Sequence, residues 1–210
     1  MAIKNIVFDL GNVLLPIAPQ ATADMLEELM GMPYANLIEQ PDDMLAKFET
    51  GRINYIVFFN YLSRISNHIV HINELIPAWN KMLQPLPLQV IFDLEEIASR
   101  YNCYLLSNTN EIHLQWFDKH LTSNQLYDLW YNHLFKKCYY SHLIKLRKPD
   151  HETYHWVMSD ASIHASETLY LDDLSVNVEA AAFCGLNARQ YLIGSRNMLS
   201  IINEAVEHIK

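Results

Sequence analysis

The chain is short of basic residues, of cysteine and of long apolar runs, and each shortage removes a class of function. Lysine and arginine total 15 against 24 aspartates and glutamates in 210 residues, a formal net charge of −9. A protein that grips phosphate backbones needs a basic face, so the balance argues against nucleic acid as a partner. It leaves room for a small phosphorylated ligand, because one lysine and a bound cation can invert the field inside a cleft. The cysteines, Cys103, Cys138 and Cys184, are widely spaced in apolar surroundings. Such an odd, unpatterned set predicts reduced thiols rather than a disulfide framework. No apolar stretch approaches the ~20 residues that span a bilayer, and the opening residues read as a short strand rather than a signal peptide. No internal repeat or low-complexity tract is visible. The expectation is a soluble cytoplasmic protein with no membrane partner, monomeric or homodimeric.

What is present is a core. Half the residues are hydrophobic and 19% are charged, which excludes intrinsic disorder and suits one medium domain with a modest insertion. Ile3 to Phe8, Tyr101 to Leu106 and Thr168 to Leu171 are apolar with little alternation, as strands covered on both faces are. Ala188 to Ile193 is a weaker candidate. Between them run helical patterns: Val90, Ile91, Leu94, Ile97 and Ala98, then Val176 to Phe183 stopping near Gly185, then Met198 to Ile209. Strands alternating with helices predict an α/β fold, a Rossmann-like parallel sheet with helices on both faces.

Residues 16–87 break that rhythm. They hold no convincing strand, only helical segments punctuated by Pro19, Gly31, Pro33, Pro41, Gly51 and Pro77, and they return through Gln84-Pro85-Leu86-Pro87. This predicts a helical cap at 16–87 inserted after the first strand, with a core made of 1–15 and 88–210.

Polar clusters stand where an open sheet places its chemistry, after strands. They are Phe8-Asp9-Leu10-Gly11-Asn12-Val13, Leu106-Ser107-Asn108-Thr109-Asn110, Arg147-Lys148-Pro149, and Leu171-Asp172-Asp173 followed by Asn177. Singly each is ordinary: a turn, a helix N-cap, a surface lysine, acids at a helix start. Together their roles are complementary. A carboxylate can attack phosphorus and form an aspartyl-phosphate. Attack by one anion on another requires positive charge, from a lysine and from Mg²⁺ held by oxygen ligands. A hydroxyl and backbone N–H groups at a helix start can hold the remaining phosphoryl oxygens.

In order and content these motifs resemble those of the haloacid dehalogenase (HAD) superfamily, and in detail its capped bacterial sugar-phosphate phosphatases. The resemblance runs the length of the chain. It implies that Asp9 is the nucleophile, that Ser107 and Asn108 bind the phosphoryl group, and that Lys148 neutralises charge between nucleophile and phosphate. It implies a Mg²⁺ shell of Asp9, the Gly11 carbonyl, Asp172 and Asp173, supported by Asn177. The implied activity is Mg²⁺-dependent hydrolysis of a small phosphorylated metabolite, a sugar phosphate foremost.

One position departs from the family pattern. Where most such phosphatases carry a second aspartate two residues after the nucleophile, this chain has Gly11, so the usual proton donor to the leaving group is missing. A weakly active phosphate-binding or regulatory protein is therefore an alternative. So is a metal-independent 2-haloacid dehalogenase, which the doubled acid Asp172-Asp173 opposes. His151-Glu152-Thr153-Tyr154-His155 also matches the zinc signature H-E-x-x-H, with Glu179 as the one downstream candidate for a third ligand; a polar helix face is the simpler expectation. His113 is open between facing the cleft and packing beside Trp116 and Phe117. His68 and His71 read as a polar helix face, and Ile56, Phe58, Phe59, Tyr61 and Leu62 as cap core. Glu49, Gly51 and Arg52 form a cap turn placed to meet a leaving group.

Overall fold

The computed structural model describes residues 2–38 and 43–207. Five strands form one parallel sheet: β1 Asn5–Phe8, β2 Asn102–Ser107, β3 Lys137–Tyr140, β4 Thr168–Asp172 and β5 Asn187–Gln190, in the order β3-β2-β1-β4-β5. The helices in chain order are α1 Pro19–Met30, α2 Ala35–Ile38, α3 Met44–Glu49, α4 Tyr55–Ile65, α5 Ile72–Trp79, α6 Leu88–Ala98, α7 Glu111–Ser123, α8 Ser141–Ile144, α9 His151–Ala161, α10 Ser175–Phe183 and α11 Met198–Glu207.

Successive side chains of a strand point to opposite faces, and the core divides accordingly. Ile6, Phe8, Cys103, Leu105, Leu169 and Leu171 pack on one side of the sheet with α6, α7 and α11. Val7, Tyr104, Leu106, Tyr139 and Tyr170 pack on the other with α9 and α10. Both faces of β1 are covered, which is why its residues read as unbroken apolar sequence. The expected α/β sheet is therefore present.

β3 carries no apolar run that marks it in the sequence, and the candidate strand at Ala188 to Ile193 is instead Asn187–Gln190. Both are edge strands, where one side lacks a neighbour and an uninterrupted apolar run is not required. A π-helical turn at Leu129–Leu134, leading into β3, was not foreseen either.

The helices α1 to α5 bury a cluster of their own, formed by Leu26, Met30, Phe48, Phe58, Leu62 and Trp79 among others. Phe48 and Phe58 stack at 4.4 Å. Phe58, Phe59 and Leu62 are core as expected, whereas Ile56 points outward. Gly31 ends α1 in the left-handed conformation. Pro77 does not punctuate: it lies inside α5, a helix of 8 residues. Pro41 and Ile209 lie outside the described residues.

Gly51 shows how closely the insertion sits on the sheet layer. Its φ is +62°, and a Cβ built there would lie 2.1 Å from the carbonyl oxygen of His142 in α8. Gly51→Ala should therefore cost the left-handed penalty of about 1–2 kcal/mol plus a displaced backbone. Gly194→Ala, at φ +79° with nothing within 4 Å, should cost the first component alone. Equal losses in chemical denaturation would contradict this contact.

Candidate active site

The sheet order reverses direction between β1 and β4, and open α/β sheets bind ligands at the carboxyl ends of strands around such a point. Asp9 follows β1, Ser107 ends β2 and Asp172 ends β4. The backbone N–H of Asp9 continues the ladder by donating to the Leu171 carbonyl at 2.8 Å. Carboxylate oxygens of Asp9, Asp172 and Asp173 lie within 4.8 Å of one another.

Lys148 enters from the loop before α9 and is 1% exposed. Its Nζ donates to Asp9 Oδ1 and to Asp172 Oδ2, each at 2.7 Å. Burial alone would lower the lysine pKa, but the two carboxylates outweigh it and hold the ammonium charged. Burial pushes Asp9 up to about 6; Lys148 pulls it down and the neighbouring Asp172 adds to the rise. Asp172 is held below the usual carboxylate range: burial opposes this, but Lys148 and further donors prevail.

Those donors saturate Asp172. Oδ1 accepts from the Leu174 N–H and from Asn177 Nδ2, both at 2.9 Å, and Oδ2 accepts from Tyr170 as well as Lys148. A carboxylate has about four acceptor sites, so all are taken. Asn12, in the left-handed conformation at φ +53°, donates from its amide to Asp173 Oδ2 at 3.2 Å. Burial raises the Asp173 pKa, partly offset by that bond.

Asn108, expected to bind substrate, also ties its amide to the lysine loop: Oδ1 accepts from the Lys148 N–H at 2.9 Å and Nδ2 donates to the Lys148 carbonyl at 2.8 Å. Ser141 grips the loop after β2 through Thr109, donating to its carbonyl and accepting from its N–H, both at 2.9 Å. Asn110 caps α7 by accepting from the His113 N–H. Asn12, Tyr170 and Ser141 were missed in the sequence. For Asn12 a signal existed, since asparagine after a glycine turn is enriched in the left-handed region; the others offered none.

A cavity of about 240 Å³ adjoins these groups and is lined by Leu10, Gly11, Ser107 and Asn108 beside them. The sheet side contributes Gly11, Ser107 and Asn108, the insertion Tyr34, Glu49 and Trp79, and His113 lines it from α7. Of the suggested cap turn, Glu49 alone lines this cavity; Arg52 and Gly51 line others. His113 has both ring nitrogens engaged, with Asn110 Nδ2 at 3.2 Å from Nδ1 and the Trp79 carbonyl at 3.1 Å from Nε2. The amide must donate to Nδ1, so Nε2 carries the proton and the ring is neutral. Burial lowers its pKa to about 4. His113 thus fastens the insertion to the sheet layer and has no free nitrogen for chemistry.

The zinc motif does not assemble. His151, Glu152, His155 and Glu179 are exposed, the His151 ring stacks on Phe183 at 4.5 Å, and the acidic trio is the one candidate metal group among the described residues.

The trio fits a divalent cation by charge: three carboxylates against one ammonium leave two negative charges uncompensated (−3 + 1 = −2). No family model matches the chain. It is 25% identical over 190 residues, 90% of its length and 91% of the relative's, to a D-ribitol-5-phosphate phosphatase of Bacteroides thetaiotaomicron. It superposes with a TM-score of 0.83 on a HAD family enzyme from Bacteroides thetaiotaomicron crystallised with magnesium and inorganic phosphate, at 28% identity over 94% of this chain and 98% of that one. A HAD-like hydrolase structure from Porphyromonas gingivalis shares the fold, with a TM-score of 0.84, 24% identity and coverage of 97% and 98%. In fold and in these relatives the chain is similar to enzymes of the HAD superfamily.

Two outcomes are expected from this geometry. Lys148→Met leaves Asp9 and Asp172 buried without their counter-charge and should cost about 3–5 kcal/mol in urea denaturation; an unchanged midpoint would disprove the bridge. His113 must be neutral in the fold, so its contribution to stability is complete above pH 6.5 and is lost as pH falls through about 4. Melting temperature should therefore drop more steeply over that window in the wild type than in His113→Gln.

Proposed function

We propose that the protein is a Mg²⁺-dependent phosphatase that hydrolyses a small phosphorylated metabolite through an aspartyl-phosphate on Asp9. The observation that carries this is the buried Asp9–Lys148–Asp172 bridge beside Asp173, with its deficit of two positive charges. We assign the ion to Asp9, Asp173 and the Gly11 carbonyl, with Asp172 contributing charge while its oxygens hold Lys148, Tyr170, Leu174 and Asn177. When bound, the ion supplies Lewis-acid stabilisation of phosphoryl oxygens.

The chain's own groups do the rest. Lys148 fixes Asp9 Oδ1 and offsets the charge that gathers when one anion approaches another. The Asp9 oxygen attacks phosphorus in line with the departing alkoxide. Ser107, with N–H groups at the start of α7, holds phosphoryl oxygens. Asn108 clamps the Lys148 backbone. Water then cleaves the aspartyl-phosphate.

The related ribitol-phosphate phosphatase supports a sugar or polyol phosphate as substrate. The cavity suits one: about 240 Å³, walled by Leu15, Ile17, Leu45 and Trp79, with Tyr34 and Glu49 as polar points. We divide the chain into a core of 1–15 and 88–210 and a cap of 16–87 that screens the site from water. No described helix is long and apolar enough to cross a membrane, and the cysteines are unpaired. A cytoplasmic monomer or homodimer accords with both.

Phosphate release over a panel of sugar and polyol phosphates should require Mg²⁺ and vanish with EDTA, and Asp9→Asn should abolish turnover with the melting curve retained. Activity on 2-haloacids that survives EDTA would instead identify a dehalogenase.

A further inference from the structure

The phosphatase reading leaves the leaving group without a proton donor, because Gly11 has no side chain. A Cβ on Gly11 would lie 3.3 Å from Ile17 Cδ1 and 4.0 Å from Asp9 Oδ2. Three titratable side chains outside the acidic trio line the cavity, Tyr34, Glu49 and His113. His113 has both nitrogens engaged. Tyr34 is pushed above its ordinary 10 by burial and by Glu49, so its proton is held more tightly still.

Glu49 is different. It ends α3 facing the cavity, and its side chain is 18% exposed. Its Oε2 lies 3.0 Å from Nη2 of Arg147 but outside hydrogen-bonding geometry, so this buried oxygen has no hydrogen-bond partner. Burial raises its pKa, Asp43 adds to the rise and Arg147 opposes it. The charged and titratable groups around it are Arg147 from the loop before α9, Asp43 at the start of α3, Tyr34 after α1, and His142 on the adjoining α8.

Resting on the phosphatase reading, we propose that Glu49 exchanges the proton with the leaving oxygen, the insertion delivering the acid that the first motif lacks. In the first half, a bond forms between the Asp9 oxygen and phosphorus. The bond from phosphorus to the leaving oxygen breaks, and its electron pair takes the Glu49 proton, releasing the alcohol. Glu49 is left as a carboxylate beside Arg147. In the second half it takes a proton from water as that oxygen bonds to phosphorus. The bond to Asp9 breaks with its electron pair returning to the carboxylate, and phosphate leaves with Glu49 protonated again.

The test compares an alkyl phosphate such as ribitol 5-phosphate with 4-nitrophenyl phosphate, whose leaving group needs no proton. In kcat/KM, which reports formation of the aspartyl-phosphate and leaves out the shared second half, Glu49→Gln should slow the alkyl substrate by about 10²-fold or more and the aryl substrate by under about 10-fold. A general acid must be protonated, so the wild-type rate on the alkyl substrate should fall as pH rises through the Glu49 pKa. That limb should disappear in Glu49→Gln and move to higher pH in Arg147→Met, which removes the opposing cation; the second variant reads the same limb should the first fold poorly. Equal slowing on both substrates, or an alkaline limb unmoved in both variants, would overturn the proposal. Asp9→Asn separates the two claims: hydrolysis persisting there defeats the phosphatase reading, whereas a dead Asp9→Asn with indifferent Glu49 variants defeats this inference alone.

Discussion

A lysine ammonium at 1% exposure, 2.7 Å from each of two carboxylates, is the constraint on which the structure turns. Taking three charged groups out of water costs several kcal/mol per ion, and such an arrangement persists only when geometry and further hydrogen bonds compensate. Here they do. Asp172 has every acceptor site filled, and Asn108 pins the lysine backbone from both sides. The partners come from β1, β4 and the loop before α9, so the bridge also fixes how the two central strand ends face one another. What the bridge does not do is neutralise the site. The surplus negative charge sits where a phosphate must arrive, and only a bound cation makes that arrival favourable.

Much of this was legible in the sequence because the central strands are covered on both faces. Apolar runs ending in Asp9, Ser107 and Asp172 mark both the strand and the chemistry that follows it, and the parallel order then brings those ends together. The edges were less legible for the converse reason. β3 opens on Lys137 and β5 runs Asn-Ala-Arg-Gln, sequences that a one-sided edge tolerates and that look like loop.

The site was legible as an inventory and illegible as a division of labour. Asn108 and Asp172, expected to meet ligand, are also tied to Lys148, Asn108 through its backbone and Asp172 through its ammonium. Tyr170 reads as a core strand residue and Ser141 as a loop hydroxyl; their bonds, to Asp172 and to Thr109, exist only once the strand ends are assembled. Spacing in sequence reveals which residues share a strand end. It does not reveal which lone pairs are already taken, and that decides whether a residue binds or positions.

The insertion shows the same economy. Its buried cluster includes Ile112 of α7, its Trp79 carbonyl receives the His113 proton, and Glu111 accepts from the Tyr55 N–H. Those three α7 residues directly follow Asn110, which caps the helix. Glu49 reaches Arg147, the neighbour of Lys148. The insertion therefore touches the sheet layer at the two loops that adjoin Ser107 and carry the bridging Lys148, rather than at indifferent surface.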